Sequence, residues 1–144
     1  MATGPENKFI ASVHAQLPGG HAEKMHNPYR RGTPDVYYSG KLGSLWAEYK
    51  FIAKIPKSAN ILPELSQSQL EWCEARYEEG RAVVVIVGSP EGGVVFRHLE
   101  WMSPMPADVF RARLQSKKDI ALWIYQSIGD AACRSSLRSL TPTE

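Results

Sequence analysis

The residues best suited to chemistry lie in two short segments, Gly32-Thr33-Pro34-Asp35 and Glu48-Tyr49-Lys50, with twelve residues between the two acids. Side chains alternate along a strand, so a strand would project Glu48 and Lys50 from one face, about 6.6 Å apart at about 3.3 Å per residue. If Asp35 opens the neighbouring strand of a hairpin, its carboxylate converges with that of Glu48. The spacing therefore predicts two carboxylates and an ammonium group in one site.

This set of groups suits hydrolysis of a phosphodiester. Two carboxylates and a backbone carbonyl, for which Tyr49 is the natural candidate, suit Mg²⁺ or Mn²⁺ held with several waters. Lys50 beside them can orient or help deprotonate the attacking water and can neutralise charge that builds on a phosphate. The ordinary alternatives are a turn-opening Asp35 and a same-face pair on an exposed strand. The apolar residues around Glu48 argue against that strand being exposed, because unpaired charges are costly to bury.

The two segments resemble the motif of the PD-(D/E)XK nucleases, which is present as Pro34-Asp35 and Glu48-Tyr49-Lys50. Within that superfamily the chain is most similar to the small VRR-NUC nucleases and to Holliday-junction resolvases. The resemblance covers residues 5 to 100. It implies an α/β, restriction-endonuclease-like core with a central mixed β-sheet flanked by helices, and Mg²⁺- or Mn²⁺-dependent cleavage of DNA in repair or recombination.

The same resemblance implies two further site residues. Glu6 in the first helix matches an additional acid, for which Glu23 is the alternative, and Gln69 matches a glutamine that positions water or the metal shell. Gln69 also stands three residues after Ser66, the spacing of a capping box, so hydrogen bonding at the helix end would explain it equally well. The two interpretations of Gln69 are not exclusive.

Basic residues near the motif are candidates for DNA contacts. Arg30 and Arg31 precede it and could form bidentate bonds to phosphate, and Lys54 and Lys57 follow it in a loop. The alternative for Arg30 and Arg31 is a solvated basic loop. Residues 1–60 carry eight Lys and Arg against four Asp and Glu, a weak indication of a polyanion-binding surface.

Hydrophobic periodicity and turn residues predict the elements that must hold these groups. Residues 82–87 form a continuous apolar run, typical of a strand covered on both faces and often parallel to its neighbour. We expect one domain over residues 1–130, with a helical C-terminal appendage and a loose tail over 131–144. The predicted helices span residues 5–17, 66–79, 107–114 and 119–128, and the predicted strands span 35–38, 44–52, 82–87 and 94–99.

Composition excludes several classes of protein. The apolar fraction of 43% and charged fraction of 22% are those of a globular domain, and the longest apolar run is far too short to cross a bilayer. The N-terminus lacks the pattern of a signal peptide, so we expect a cytoplasmic protein, in the host if phage-encoded. Cys73 and Cys133 are too few for a disulfide scaffold and are expected to be reduced.

We therefore predict a metal-dependent endonuclease acting on branched duplex DNA, such as a four-way junction. A twofold homodimer is expected because one site cuts one strand. Three alternatives stay open at this point: a non-catalytic DNA-binding module with the same fold, a structural or partner-binding protein with an accidental motif, and a sequence-specific restriction enzyme.

Overall fold

The computed structural model describes residues 4–25 and 32–129 and contains a mixed five-stranded sheet flanked by helices. The sheet order is β1-β2-β3-β4-β5, and all neighbours are antiparallel except β3 and β4, which are parallel. The predicted α/β class with a central mixed sheet is confirmed. The elements in chain order are α1 (Pro5–Ala15), β1 (His21–Lys24), β2 (Val36–Ser39), β3 (Ser44–Phe51), α2 (Gln67–Glu78), β4 (Val83–Ser89), β5 (Gly92–Phe96), a 3₁₀ turn (Glu100–Met102), α3 (Ala107–Ala112) and α4 (Lys117–Ile128).

The apolar run predicted to be a doubly covered strand forms β4, which is buried at all seven positions. α2 connects β3 to β4, so the parallel pair arises from a crossover connection. The sequence also predicts the β2–β3 hairpin, and the structure has it with Val36 opposite Ala47. Strand β3 therefore lies between the hairpin and the crossover, and it carries the Glu48-Tyr49-Lys50 segment.

The two faces of the sheet are covered by different helices. One face, which we call the helix face, packs α1 and α4 against residues such as Tyr38, Tyr49 and Ile86. The other, which we call the site face, carries Glu48 and packs α2 against β4. Side-chain alternation in β2 and β3 decides which residues reach each face.

Two parts of the sequence interpretation were wrong. Residues 21–24 were expected in a polar connection, yet they form the edge strand β1. Their intrinsic preference for a strand is weak, but backbone hydrogen bonds to β2 stabilise the strand nonetheless. The C-terminal helices were expected as an appendage, yet α4 buries Ile120, Ile124 and Ile128 in the core of the helix face. The predicted tail over residues 131–144 lies outside the described residues. No helix in the described ranges is long and apolar enough to span a membrane.

A pair of glycines lets α1 approach the sheet closely. Gly88 on β4 lies opposite Gly93 on β5, and the ring of Phe9 covers both. A Cβ on Gly88 would lie 2.7 Å from the ring carbons of Phe9, and one on Gly93 would lie 2.9 Å from Cζ. Since Phe9 is one helical turn from Glu6, this contact also fixes where Glu6 stands.

We expect Gly88→Ala to lower the free energy of unfolding by about 1–3 kcal/mol, because the added methyl overpacks against a buried ring. Urea denaturation measures the change. On a Phe9→Leu background the same substitution should cost less, since the smaller side chain leaves room for the methyl. Equal costs on both backgrounds would show that the Phe9 ring is not the obstacle.

Candidate active site

The register of the hairpin brings the two motif carboxylates together. Val36 pairs with Ala47 and Tyr37 with Trp46, so continuing the antiparallel register by one residue sets Asp35 opposite Glu48. Asp35 Oδ2 accepts a hydrogen bond of 2.9 Å from the backbone N–H of Tyr49. The Asp35 carboxylate thus accepts from the Tyr49 N–H, which would bond to a backbone carbonyl if β2 were longer. It lies on the site face, where the pairing of β2 with β3 ends.

Glu48 is the most unusual group in the site, because its side chain is a carboxylate with only 2% exposure. Its Oε2 accepts a 2.9 Å hydrogen bond from Gln69 Nε2 and lies 3.6 Å from Lys50 Nζ. Among the described residues, its Oε1 is buried without a hydrogen-bond partner. Burial, followed by the neighbouring charge of Asp35, raises the pKa of Glu48 to about 8. A buried carboxylate with a vacant oxygen is costly for a fold to retain.

The amide of Gln69 joins the helix cap to Glu48. Ser66 Oγ accepts from the Gln69 backbone N–H at 3.1 Å, and Gln69 Oε1 accepts from the Ser66 backbone N–H at 2.9 Å. This capping box orients the amide so that Nε2 donates to Glu48 Oε2. Both interpretations of Gln69 from the sequence are therefore compatible, since one side chain makes both sets of contacts.

We expect Gln69→Glu to reduce DNA cleavage about 10–100-fold, the usual effect of losing a residue that orients a metal ligand. A glutamate keeps the acceptor for the Ser66 N–H but cannot donate to Glu48 when ionised, and it adds a negative charge beside it. Gln69→Ala removes both contacts and serves as the comparison. Initial cleavage rates report the loss of Glu48 orientation, and thermal melts report the loss of stability from the helix cap. A loss of rate that only follows the loss of stability would contradict the orienting role.

Lys50 and Glu6 complete the cluster. The Lys50 side chain is 23% exposed and shares with Glu6 a cavity of about 400 Å³, which Glu64 also lines. Burial, followed by the charge of Asp35, raises the pKa of Glu6, and Lys50 counteracts that rise. Glu23, the alternative acid, is exposed on β1 and pairs with His21 instead. The sequence offered no signal for Glu64, which lies in an irregular loop outside any motif.

Tyr49 contacts Asp35 through its backbone. Its side chain lies on the helix face, where its hydroxyl is 2.5 Å from that of Tyr38, which in turn lies 2.8 Å from His14 Nε2. The N–H and C=O of one strand residue point to the same edge, and the Tyr49 N–H points to Asp35. The carbonyl of Tyr49 is therefore directed to the edge where β2 has ended, beside Asp35.

The donors present fit a hard divalent cation that keeps several waters. Within the described ranges no three side chains of His, Cys, Asp and Glu form a cluster able to hold a metal alone. The vacant Oε1 of Glu48, the carboxylate of Asp35 and the carbonyl of Tyr49 are oxygen donors at one place, and Mg²⁺ commonly takes only one or two protein carboxylates.

The remaining candidates from the sequence lie farther out or beyond the described residues. Lys54 and Lys57 are exposed in the connection between β3 and α2. Arg30 and Arg31 lie outside the described residues. Cys73 is buried, and burial raises the pKa of its thiol to about 12, so it behaves as a core residue. DNA contact by the four basic residues stays a prediction.

This sheet, with its parallel central pair and antiparallel flanks, has the α/β fold of Holliday junction resolvases. A solved structure with this fold is Hjc of Archaeoglobus fulgidus, a Holliday junction resolvase from an archaeal hyperthermophile. The match has a TM-score of 0.51 at 15% identity and covers 81% of this chain and 99% of that one. No family model matches the sequence, and no curated protein does. At this identity the likeness establishes the fold, and the narrower VRR-NUC resemblance stays a prediction.

Proposed function

We propose that the protein is a metal-dependent endonuclease that hydrolyses phosphodiester bonds in branched DNA. The observation that carries the proposal is the buried Glu48 carboxylate beside Asp35. One of its oxygens is bonded to Gln69 near Lys50, and the other has no hydrogen-bond partner within residues 4–25 and 32–129. Retaining such a group costs stability, so its presence favours a catalytic site over an accidental motif.

Each side chain has a role in this proposal. Asp35, Glu48 and the Tyr49 carbonyl would hold Mg²⁺ or Mn²⁺, which supplies Lewis acidity and activates water when bound. Lys50 Nζ orients the attacking water, assists removal of its proton, and offsets negative charge on the phosphate.

The outer residues act on those groups. Gln69 fixes the orientation of Glu48 through its amide, and Glu6 supplies a further carboxylate on the Lys50 side of the cavity. Arg30, Arg31, Lys54 and Lys57 are proposed as phosphate contacts.

Branched DNA is proposed as the substrate because the neighbour in fold is a Holliday junction resolvase. A single site per chain cuts one strand, so symmetrical cleavage of a junction requires two copies, and we propose a twofold homodimer. Sedimentation with and without junction DNA tests this, and a monomer under both conditions at micromolar concentration would reject it.

A cleavage panel tests the activity itself. Labelled linear duplex, single-stranded, flap and four-way-junction DNA are incubated in Mg²⁺, in Mn²⁺ and in EDTA, with Glu48→Gln alongside. We expect metal-dependent product from branched DNA and none with the variant. Binding without cleavage in either metal would favour the DNA-binding module instead, and absence of both would favour a structural protein.

A further inference from the structure

A second cavity lies on the site face next to the carboxylates. It has a volume of about 630 Å³, and its walls include Tyr37, Trp46, Trp72, Met25 and Arg76, which together we call the aromatic groove. These five side chains are partly exposed, whereas Trp101 in the core has no exposure. The aromatic groove is therefore an open surface rather than part of the core.

The rings in the aromatic groove form one connected group. The Tyr37 and Trp46 centroids are 4.6 Å apart with planes inclined at 49°, and those of Trp46 and Trp72 are 5.1 Å apart at 64°. The Arg76 guanidinium lies over Trp72, 5.4 Å from the ring centroid. Exposed ring faces and guanidinium planes are the groups on which proteins stack nucleobases.

The aromatic groove is fixed relative to the proposed active site by shared elements. Tyr37 and Trp46 are a cross-strand pair, and each lies two residues along its strand from Asp35 or Glu48 on the same face. Two strand residues span about 6.6 Å. Trp72 lies three residues after Gln69 on α2, about one helical turn away.

The arginines around the aromatic groove are balanced by carboxylates. Arg76 makes two hydrogen bonds to Glu79, of 3.0 and 2.9 Å, and Arg81 lies 3.7 Å from the same carboxylate. Glu23 also lines the aromatic groove. Among the residues that the structure describes, a phosphate would therefore meet little uncompensated positive charge, whereas an uncharged planar group would bury its faces against the rings.

We propose that the aromatic groove binds an unpaired nucleobase of the strand being cut, next to the scissile phosphate. The inference rests on the proposed nuclease function and narrows its substrate to DNA in which an unpaired nucleotide flanks the cut, such as a flap, a splayed arm or a gap. A base within a closed duplex would first have to leave its stack, which costs a few kcal/mol.

The test measures binding in EDTA, so that no cleavage occurs, by quenching of tryptophan fluorescence. Oligothymidylate is compared with an abasic oligonucleotide of the same length, which carries the same phosphates without bases. We expect wild-type protein to bind oligothymidylate about 10-fold more tightly or better, as stacking of one base provides. Tyr37→Leu and Trp72→Leu should each reduce this preference to about twofold or less.

Trp123→Leu is the matched control, because Trp123 is also partly buried and also has an arginine, Arg97, 5.8 Å from its ring. We expect it to keep the preference for bases. Circular dichroism checks that each variant is folded, and if one is not, the wild-type comparison alone decides. Equal affinity of the wild-type protein for the two oligonucleotides would overturn the proposal.

Cleavage assays keep the two proposals distinguishable. Equal binding of both oligonucleotides together with metal-dependent cleavage would reject the stacking of a base and leave the nuclease intact. A clear preference for bases without cleavage of any DNA would support the aromatic groove as a base-binding site and reject the nuclease.

Discussion

Lys50→Ala is expected to slow Mg²⁺-dependent DNA cleavage by about 10³-fold or more while leaving the affinity for DNA nearly unchanged. The ammonium group lies 3.6 Å from Glu48 at the wall of the cavity that it shares with Glu6. In the proposed function it acts there on both the attacking water and the phosphate. Loss of a proton-transfer group costs about 10²–10⁴-fold, and loss of charge stabilisation on the phosphate adds to this.

Lys50→Arg separates these two contributions. The guanidinium keeps the positive charge but does not give up a proton at accessible pH, so it can stabilise the phosphate without accepting a proton from the water. We expect it to remain at least about 10²-fold slower than the wild type. Single-turnover rates at saturating enzyme measure the chemical step apart from binding.

The control for both variants is Lys118→Ala, which removes an exposed lysine of α4 and should cleave at the wild-type rate. Full activity of Lys50→Ala would reject the assignment of this site, whichever DNA is used. Loss of DNA binding in parallel with activity would instead make Lys50 a phosphate contact and nothing more.

The features that the sequence predicted well are those set by local periodicity. Alternation in β3 and the twelve-residue separation between Asp35 and Glu48 were enough to anticipate a hairpin with both carboxylates on one face, and the structure has that register. The apolar run of β4 and the capping box at Ser66 were equally local, and both are present.

The features that it missed depend on how distant segments pack. β1 forms because β2 offers an unpaired edge, and α4 is buried because Ile120 and Ile124 find the sheet beside α1. The aromatic groove could not be predicted either, because it too depends on how distant segments pack. Trp46 and Trp72 line it, and a pattern of tryptophans in the sequence does not reveal which part of a sheet face α2 leaves uncovered.

In EDTA, we expect the wild-type protein to lose stability as the pH rises from about 5 to about 8. The pKa of Glu48 is raised from an ordinary 4.5 to about 8 in the folded protein. Below pH 4.5 Glu48 is protonated in both the folded and the unfolded protein. Between pH 4.5 and about 8 it keeps its proton in the folded protein and has released it in the unfolded one. The stabilisation is therefore present at low pH and is lost as the pH rises through the folded pKa.

The expected loss is on the order of 2–5 kcal/mol, since each pKa unit corresponds to about 1.4 kcal/mol and relaxation around the carboxylate reduces the full value. Glu6, whose pKa is also raised, acts in the same direction. Glu100, whose pKa is lowered chiefly by its hydrogen bonds from Arg113, acts oppositely, in the acid range. His14, whose pKa is lowered by burial, also acts oppositely, nearer neutral pH. Urea denaturation at intervals from pH 5 to pH 9 measures the sum.

Glu48→Gln isolates the contribution of that one carboxylate. The amide can still accept from Gln69 and carries no charge to desolvate, so the variant should be more stable than the wild type at pH 8 and should depend less on pH over this range. Glu91→Gln, in the exposed turn between β4 and β5, is the matched control and should follow the wild type. If Glu48→Gln were no more stable than the wild type at pH 8, the burial of an ionisable Glu48 would not be a cost to the fold.

Adding Mg²⁺ or Mn²⁺ then tests whether the buried Glu48 carboxylate binds a metal. A cation that binds the folded protein stabilises it by mass action, and one held by Glu48 binds best when the carboxylate is ionised. The metal should therefore restore stability to the wild type at pH 8–9, have little effect at pH 5, and leave Glu48→Gln unchanged. Equal stabilisation of both proteins would mean that the cation binds elsewhere, and the vacant oxygen of Glu48 would no longer support a metal at this site.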